Sequence, residues 1–118
     1  MFDFKEFSFL SDFISAQNGI ACVSEDAIVR VCISRLYYSI FHQIGTKFNI
    51  ETRKNVRAKH TDLQVHLQTY QKQFPVFALK NLYALRIIAD YDDPQQVFTK
   101  NVQLALAKDY YQELAKHL

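Results

Sequence analysis

Apolar residues recur every three or four positions through most of the chain, and the breaks between runs divide it into five helices. The first run holds Phe4, Phe7, Leu10, Phe13 and Ile14, with Asp3 as a cap and Asn18-Gly19 as a stop. The second opens at Ser24, a good N-cap, with Glu25 and Asp26 favourable in the first turn. It continues to about Phe48, with a loosening expected at Gly45. Thr61 and Asp62 are suited to cap a third helix whose Leu63, Leu67, Tyr70 and Phe74 share a face, and Pro75 ends that pattern. A fourth helix is predicted from Val76 to Tyr91, with Leu79, Leu82, Tyr83, Leu85, Ile88 and Ala89 turned wholly or partly inward. Asp93 as cap and Pro94 at the first helical position start a fifth, over Gln95 to His117. It has an irregularity near Thr99 to Asn101 and an inward row of Val102, Leu106, Tyr110 and Leu114.

The second helix is set apart from the others. From Arg30 to Gly45 its apolar residues fall on nearly every side: Val31, Cys32, Ile33, Leu36, Tyr37, Tyr38, Ile40, Phe41 and Ile44. A helix apolar almost all round is a central one, walled in by its neighbours. Its polar exceptions, Arg35, Ser39 and His42, fall four and three residues apart and are expected on one face beside Tyr38. The predicted fold is therefore all-α: an up-and-down four-helix bundle with a shorter fifth helical element, one domain over 1–118. Composition agrees, since 118 residues at 49% hydrophobic and 14% aromatic can bury a single core. Two Gly and two Pro are too few for the turns of an all-β fold.

Charge adds one feature. The net charge is only +2, but Lys47, Arg53, Lys54, Arg57 and Lys59 crowd the connection from Lys47 to His60 against the single acid Glu51. That run reads either as a solvated loop or as an electrostatic landing strip for phosphates. No stretch is long and apolar enough for a transmembrane helix. The opening MFDFKEFSFL lacks the basic start of a secretion signal, and Cys22 and Cys32 have no metal-site spacing, so reduced thiols in a cytoplasmic protein are expected. Metal centres in helical bundles use Glu-x-x-His pairs. None of Glu6, Glu25, Glu51 or Glu113 has His three residues on, so neither a metal nor a cofactor is expected. Two polar strips remain: Arg35, Tyr38, Ser39 and His42 on the second helix, and Tyr83, Arg86, Asp90 and Tyr91 late in the fourth, with His60 able to approach either. Guanidinium and imidazole groups together suit metal-free phosphodiester cleavage, the first holding phosphate and the second moving a proton. The competing reading is internal: Arg86 held by Asp90 four residues on, Tyr91 closing the bundle end, and His42 bonded within the fold.

Three strings, SRLYYSIFHQIG (34–45), RAKHTDL (57–63) and LRIIADYDD (85–93), resemble in order the motifs of one branch of the HEPN family of small helical domains. In that branch an R-x-YY-x-x-FH helix is followed by a loop bearing His beside Lys, then by R-x-x-A-D-Y late in the fourth helix. The resemblance implies a four- to five-helix up-and-down bundle, commonly a homodimer. It further implies either a metal-independent ribonuclease of a toxin–antitoxin or defence system, or an inactive relative that binds RNA, nucleotide or a protein partner. An antitoxin-like nucleotidyltransferase is one such partner. Active members carry Arg, four to six residues, then His in a late helix; here the place five residues after Arg86 holds Tyr91. The Arg, six residues, His string is instead Arg35 to His42. On this likeness the catalytic candidates are Arg35, His42 and Arg86, supported by Tyr38, Asp90 and Tyr91. Arg53, Lys54, Arg57, Lys59 and His60 are the candidate nucleic-acid contacts. A non-catalytic module for dimerisation or protein interaction, through apolar residues Phe2, Phe4, Phe7 and Phe9, is the alternative.

Overall fold

The computed structural model describes residues 5–16, 24–52, 54, 58–91 and 96–118. They form five helices, with no strand among the described residues: α1 (Lys5–Ala16), α2 (Glu25–Phe48), α3 (Lys59–Tyr70), α4 (Val76–Tyr91) and α5 (Ala105–Ala115). A π-helical turn at Lys100–Leu104 leads into α5. The capping residues Asp3, Asn18, Gly19, Asp93 and Pro94, together with Cys22, Arg53 and Arg57, lie outside the described residues. So do Phe2 and Phe4 and the side chains of Phe7 and Phe9.

The second helix is the central one, as its pattern implies. α1, α4 and α5 all pack on α2, while α3 lies against α4. Val29, Cys32, Ile33, Leu36, Tyr37, Ile40, Phe41 and Ile44 fill the core from α2, meeting Leu79 and Leu82 of α4 and Ala107 and Leu114 of α5. Among the described residues no helix is long and apolar enough to cross a membrane. Ser24 caps α2 as expected, its Oγ accepting the Ala27 N–H at 3.1 Å. The helix runs unbroken through Gly45 and ends at Asn49, a left-handed residue (φ 56°) whose N–H returns to the Gly45 and Thr46 carbonyls. Gly45 is no weak point: a Cβ there would stand 2.4 Å from Thr52 Cγ2 and 2.9 Å from the Ile50 carbonyl oxygen. Its bare backbone lets the 50–52 segment fold back tightly against α2.

Several expectations need correcting. α2 is not enclosed all round, because Val31, Arg35 and Thr46 are exposed and His42 half-buried, and these form a water-facing stripe. Ser39 leaves that stripe and turns toward α5, where its Oγ accepts from Gln43 Nε2 at 3.0 Å and lies 3.4 Å from the Tyr111 hydroxyl. On α1 the described inward residues are Ser11 and Ile14, while Leu10 and Phe13 face water. The small Ser11 allows close approach to α2 and donates to the Cys32 carbonyl at 3.2 Å, so its buried hydroxyl is satisfied. α3 begins at Lys59, two residues ahead of Thr61 and Asp62, and no side chain caps it.

The start of α5 is corrected as well. Residues 97–99 are not helical, because the acidic first turn of α2 holds them: Asp26 Oδ1 accepts the Phe98 N–H and Glu25 Oε1 the Lys100 N–H. Arg30 completes the tie, with Nε on Asp26 at 3.1 Å, Nη1 on the Ile88 and Ala89 carbonyls at 3.1 Å each, and Nη2 on the Gln96 carbonyl. Its guanidinium lies 4.5 Å above the buried Phe98 ring. The π turn, closed by Leu104 N–H on the Thr99 carbonyl at 3.2 Å, adds a residue to the helical phase. The inward row is therefore Leu104, Ala107, Tyr111 and Leu114, leaving Val102 and Leu106 exposed.

Candidate nucleic-acid interface

The two polar strips meet around one aromatic cluster. Tyr37, Tyr38 and Phe41 come from α2, Tyr83 from α4, and His60 from the first turn of α3. The His60 ring sits 4.6 Å from Phe41 and 4.9 Å from Tyr83, centroid to centroid. Its Nδ1 is 2.6 Å from the Tyr37 hydroxyl. Tyr37 is fully buried, and burial pushes its phenol far above the usual range, so it keeps its proton. A buried hydroxyl proton needs an acceptor, and Nδ1 is the one in reach. Tyr37 therefore donates, Nδ1 accepts, and the proton of the neutral ring sits on Nε2. Desolvation pushes the His60 pKa down to about 4, with Lys59, Arg86 and His42 nearby working the same way. At neutral pH His60 is an uncharged ring with an N–H donor, held in orientation by a phenol.

Tyr38 is the hub of the half-buried rim. Its ring lies 6.1 Å from His42, nearly parallel to it, and 6.2 Å from His60. His42 is oriented by Thr52, whose Oγ1 is 2.7 Å from Nδ1. Thr52 is buried and held there by the close passage over Gly45. Lys59 Nζ lies 5.9 Å from the Phe41 ring centroid, at the same rim.

Arg86 is placed differently. It is 6% exposed, with Nε 2.8 Å from Asp90 Oδ2. The two are close enough for an ion pair, yet the Nε–H is not aligned on the carboxylate and is left without a hydrogen bond. Nη2 donates to the Tyr38 and Tyr91 hydroxyls, and the guanidinium stacks 4.8 Å from the Tyr38 ring centroid and 5.1 Å from that of Tyr91. Ser34 Oγ adds a bond to Asp90 at 3.2 Å. The pairing of Arg86 with Asp90 is thus the one the i, i+4 spacing implies. Tyr91 does not close the bundle end; it is 73% exposed, with its hydroxyl returned to Arg86.

Of the candidates, Tyr38, His42, His60 and Lys59 are brought together, and Arg86 reaches them from beneath through Tyr38. Arg35 is exposed on the same stripe of α2, and Lys54 is exposed in the connection to α3. Two positioning residues give no sign of that role in the sequence. Tyr37 has the pattern of a core residue, and its bond to His60 spans 23 residues; Thr52 falls in the connection after α2. Among the described residues no three His, Cys, Asp or Glu gather as a metal site. No family model, curated protein or solved structure matches this chain.

Proposed function

We propose that this chain is a HEPN-like helical domain, an up-and-down four-helix bundle with a shorter fifth element, that binds single-stranded RNA across the α2–α3–α4 face. One observation carries the reading: aromatic and imidazole rings (Tyr38, His42, His60) share a half-open rim with the Lys59 ammonium. Rings for bases to stack on, beside cations for the backbone, are what single-strand binding needs. Arg35 and Lys54 extend the cationic edge. Arg53 and Arg57 belong to the same basic run in the sequence.

Binding is better supported than cleavage. The guanidinium beside Tyr38, that of Arg86, is already opposed by Asp90, which weakens it as a clamp on developing phosphate charge. His60 is uncharged at neutral pH and cannot serve as a general acid there. That leaves His42 as the acid–base candidate and Arg35 as the phosphate contact. The experiment is fluorescence anisotropy of a labelled oligoribonucleotide, with the same RNA run on a gel after incubation in EDTA. The expected result is saturable binding, weakened about tenfold by the double variant His42→Ala/Lys59→Ala, with the RNA intact. Cutting in EDTA that His42→Ala abolishes would replace this reading with the ribonuclease one. Absence of binding would end both.

A second reading has its own observation. Leu10 and Phe13 on α1 and Val102 and Leu106 at the entry to α5 leave large apolar groups in water, as a protein-interaction module would. Its partner would be a second copy or an antitoxin-like protein. Sedimentation at tens of micromolar tests the homodimer: a dimer that Phe13→Asp dissociates supports it, and a monomer removes it.

A further inference from the structure

His60 is held more firmly than a residue on a solvated rim needs to be. Its ring lies against Phe41 and Tyr83, inclined 33° and 32° to them. Its Nδ1 takes the proton of Tyr37, a buried phenol with no other hydrogen-bond partner among the described residues. The ring is thereby fixed in one orientation and one tautomer. The Nε2–H on its far side has no partner among the described residues. Nor is it sealed from water: among those residues Arg86 Nε is the one fully buried side-chain nitrogen or oxygen without a partner.

A donor fixed in this way differs from the Lys59 ammonium beside it. Lys59 is a charge on a flexible stem, which suits a phosphate. The His60 imidazole is uncharged at neutral pH, because burial holds its pKa near 4. It cannot offer a lone pair while Tyr37 occupies Nδ1, and its N–H points one way. Phosphate contacts position a nucleic acid, whereas directional contacts to base edges specify it. The neighbouring rings bring an edge within reach. Tyr38 and His42 lie within 23° of parallel, but Tyr38 and His60 make 63°. A base laid flat on Tyr38 therefore meets His60 with its edge and not its face.

We propose that His60 is the specificity-determining residue of this face, its Nε2–H donating to the carbonyl oxygen of a keto base (uracil O4 or guanine O6) and rejecting the amino group that cytosine or adenine holds at the same place. Tyr37 is the positioning residue, since it keeps the ring a donor. The inference rests on the RNA-binding reading and adds which bases are bound. Two N–H groups brought face to face leave both unsatisfied, and that loss is what discriminates.

Anisotropy titrations with labelled oligouridylate and oligocytidylate of equal length test it, because the two carry the same charge and differ at the group His60 meets. The wild type is expected to bind the uridine strand about tenfold more tightly. Tyr37→Phe frees the tautomer, so the ring can then accept from the cytosine amino group. Uridine binding should weaken about threefold and cytidine binding strengthen about threefold, bringing the two level. General damage to the fold would weaken both, so a gain for cytidine is the decisive sign. Tyr37 is buried, and where Tyr37→Phe fails to fold, His60→Gln carries the test. Its amide presents either a donor or an acceptor, and the preference should fall to within about twofold. Backbone flexibility also favours some pyrimidine runs, but such a preference would survive in both variants, and that result overturns the inference. Equal binding of the two strands by the wild type overturns it as well and leaves the RNA reading standing. Binding of neither strand overturns both.

Discussion

Tyr37 and His60 show how burial decides what a titratable group does. The phenol is sealed in the core, and it fixes the imidazole through one short bond. Because the folded-state pKa of His60 lies near 4, below its ordinary 6.5, the folded protein binds fewer protons than the unfolded chain between those values. Its contribution to stability is therefore complete above pH 6.5 and is lost as pH falls toward 4. For a half-buried ring, screened on one side by water, that loss amounts to about 1 kcal/mol. Urea titrations at pH 6.5 and pH 4 should show it in the wild type and not in His60→Gln, which has no proton to gain; equal losses in both would contradict it. Tyr37→Phe removes the donor to Nδ1, so the ¹⁵N shifts of His60 should move from a fixed Nε2–H ring toward a mixture of tautomers. Gly45 acts at the same scale through sterics. Gly45→Ala puts a methyl 2.4 Å from Thr52 Cγ2, so the 50–52 segment has to move. Overpacking of this kind costs about 1–3 kcal/mol. It should also unseat Thr52 from His42, moving the ¹⁵N shift of His42 Nδ1, which NMR reads directly. An unchanged Nδ1 shift with lost stability would show that Thr52 does not position the imidazole.

The helices were mostly legible from their periods, because α2 and α4 bury long rows of large side chains and end at clear stops. α4 spans the predicted Val76–Tyr91, and the Arg86–Asp90 pair lies within it, where local spacing settles contact. What spacing missed depends on small residues and on partners far along the chain. α1 turns Ser11 inward and Phe13 outward because close approach to Cys32 with a satisfied hydroxyl decides its rotation, and a hydrophobic count does not see that. α5 starts late because Glu25 and Asp26, more than seventy residues away, take its leading N–H groups. The site divides the same way: its residues were nameable, but the bond joining Tyr37 to His60 leaves no trace in either one's neighbours. Arg30 is the element-scale counterpart, one side chain tying α2 to the end of α4 and to Gln96. Arg30→Met keeps the stem over Phe98 and removes every donor. It should cost about 2–4 kcal/mol and speed amide exchange at Ile88, Ala89 and Phe98 ahead of the rest of α2. Uniform exchange across α2 and α4 would mean the tie is not a local one. Asp26 belongs to this unit: the Phe98 N–H, and then Arg30, hold its carboxyl below the usual range. The stability it lends is present above the ordinary carboxylate pKa and goes as pH drops below it.

Across the whole molecule, a net charge of +2 is too small to attract a polyanion from a distance, so any RNA affinity has to come from the few cations placed beside the rings. That makes salt dependence the sharpest measurement of the proposed interface. Each phosphate neutralised on a single strand contributes a slope of about −0.7 to log K against log salt. If Arg35, Lys54 and Lys59 each take one phosphate, the slope for the wild type should be about −2, and Lys59→Ala should reduce it to about −1.4. Stacking on Tyr38, His42 and His60 carries no such dependence, so a residual affinity should persist at high salt and disappear in Tyr38→Ala. Tyr38 also holds Arg86, so thermal stability has to be measured beside affinity in that variant. A slope of about −3.5, the value for five phosphates, would place the binding on the whole basic run from Lys47 to Lys59 instead of on this rim. A slope near zero would mean that no phosphate is held, and the rings would then be packing groups with two imidazoles satisfied by Tyr37 and Thr52.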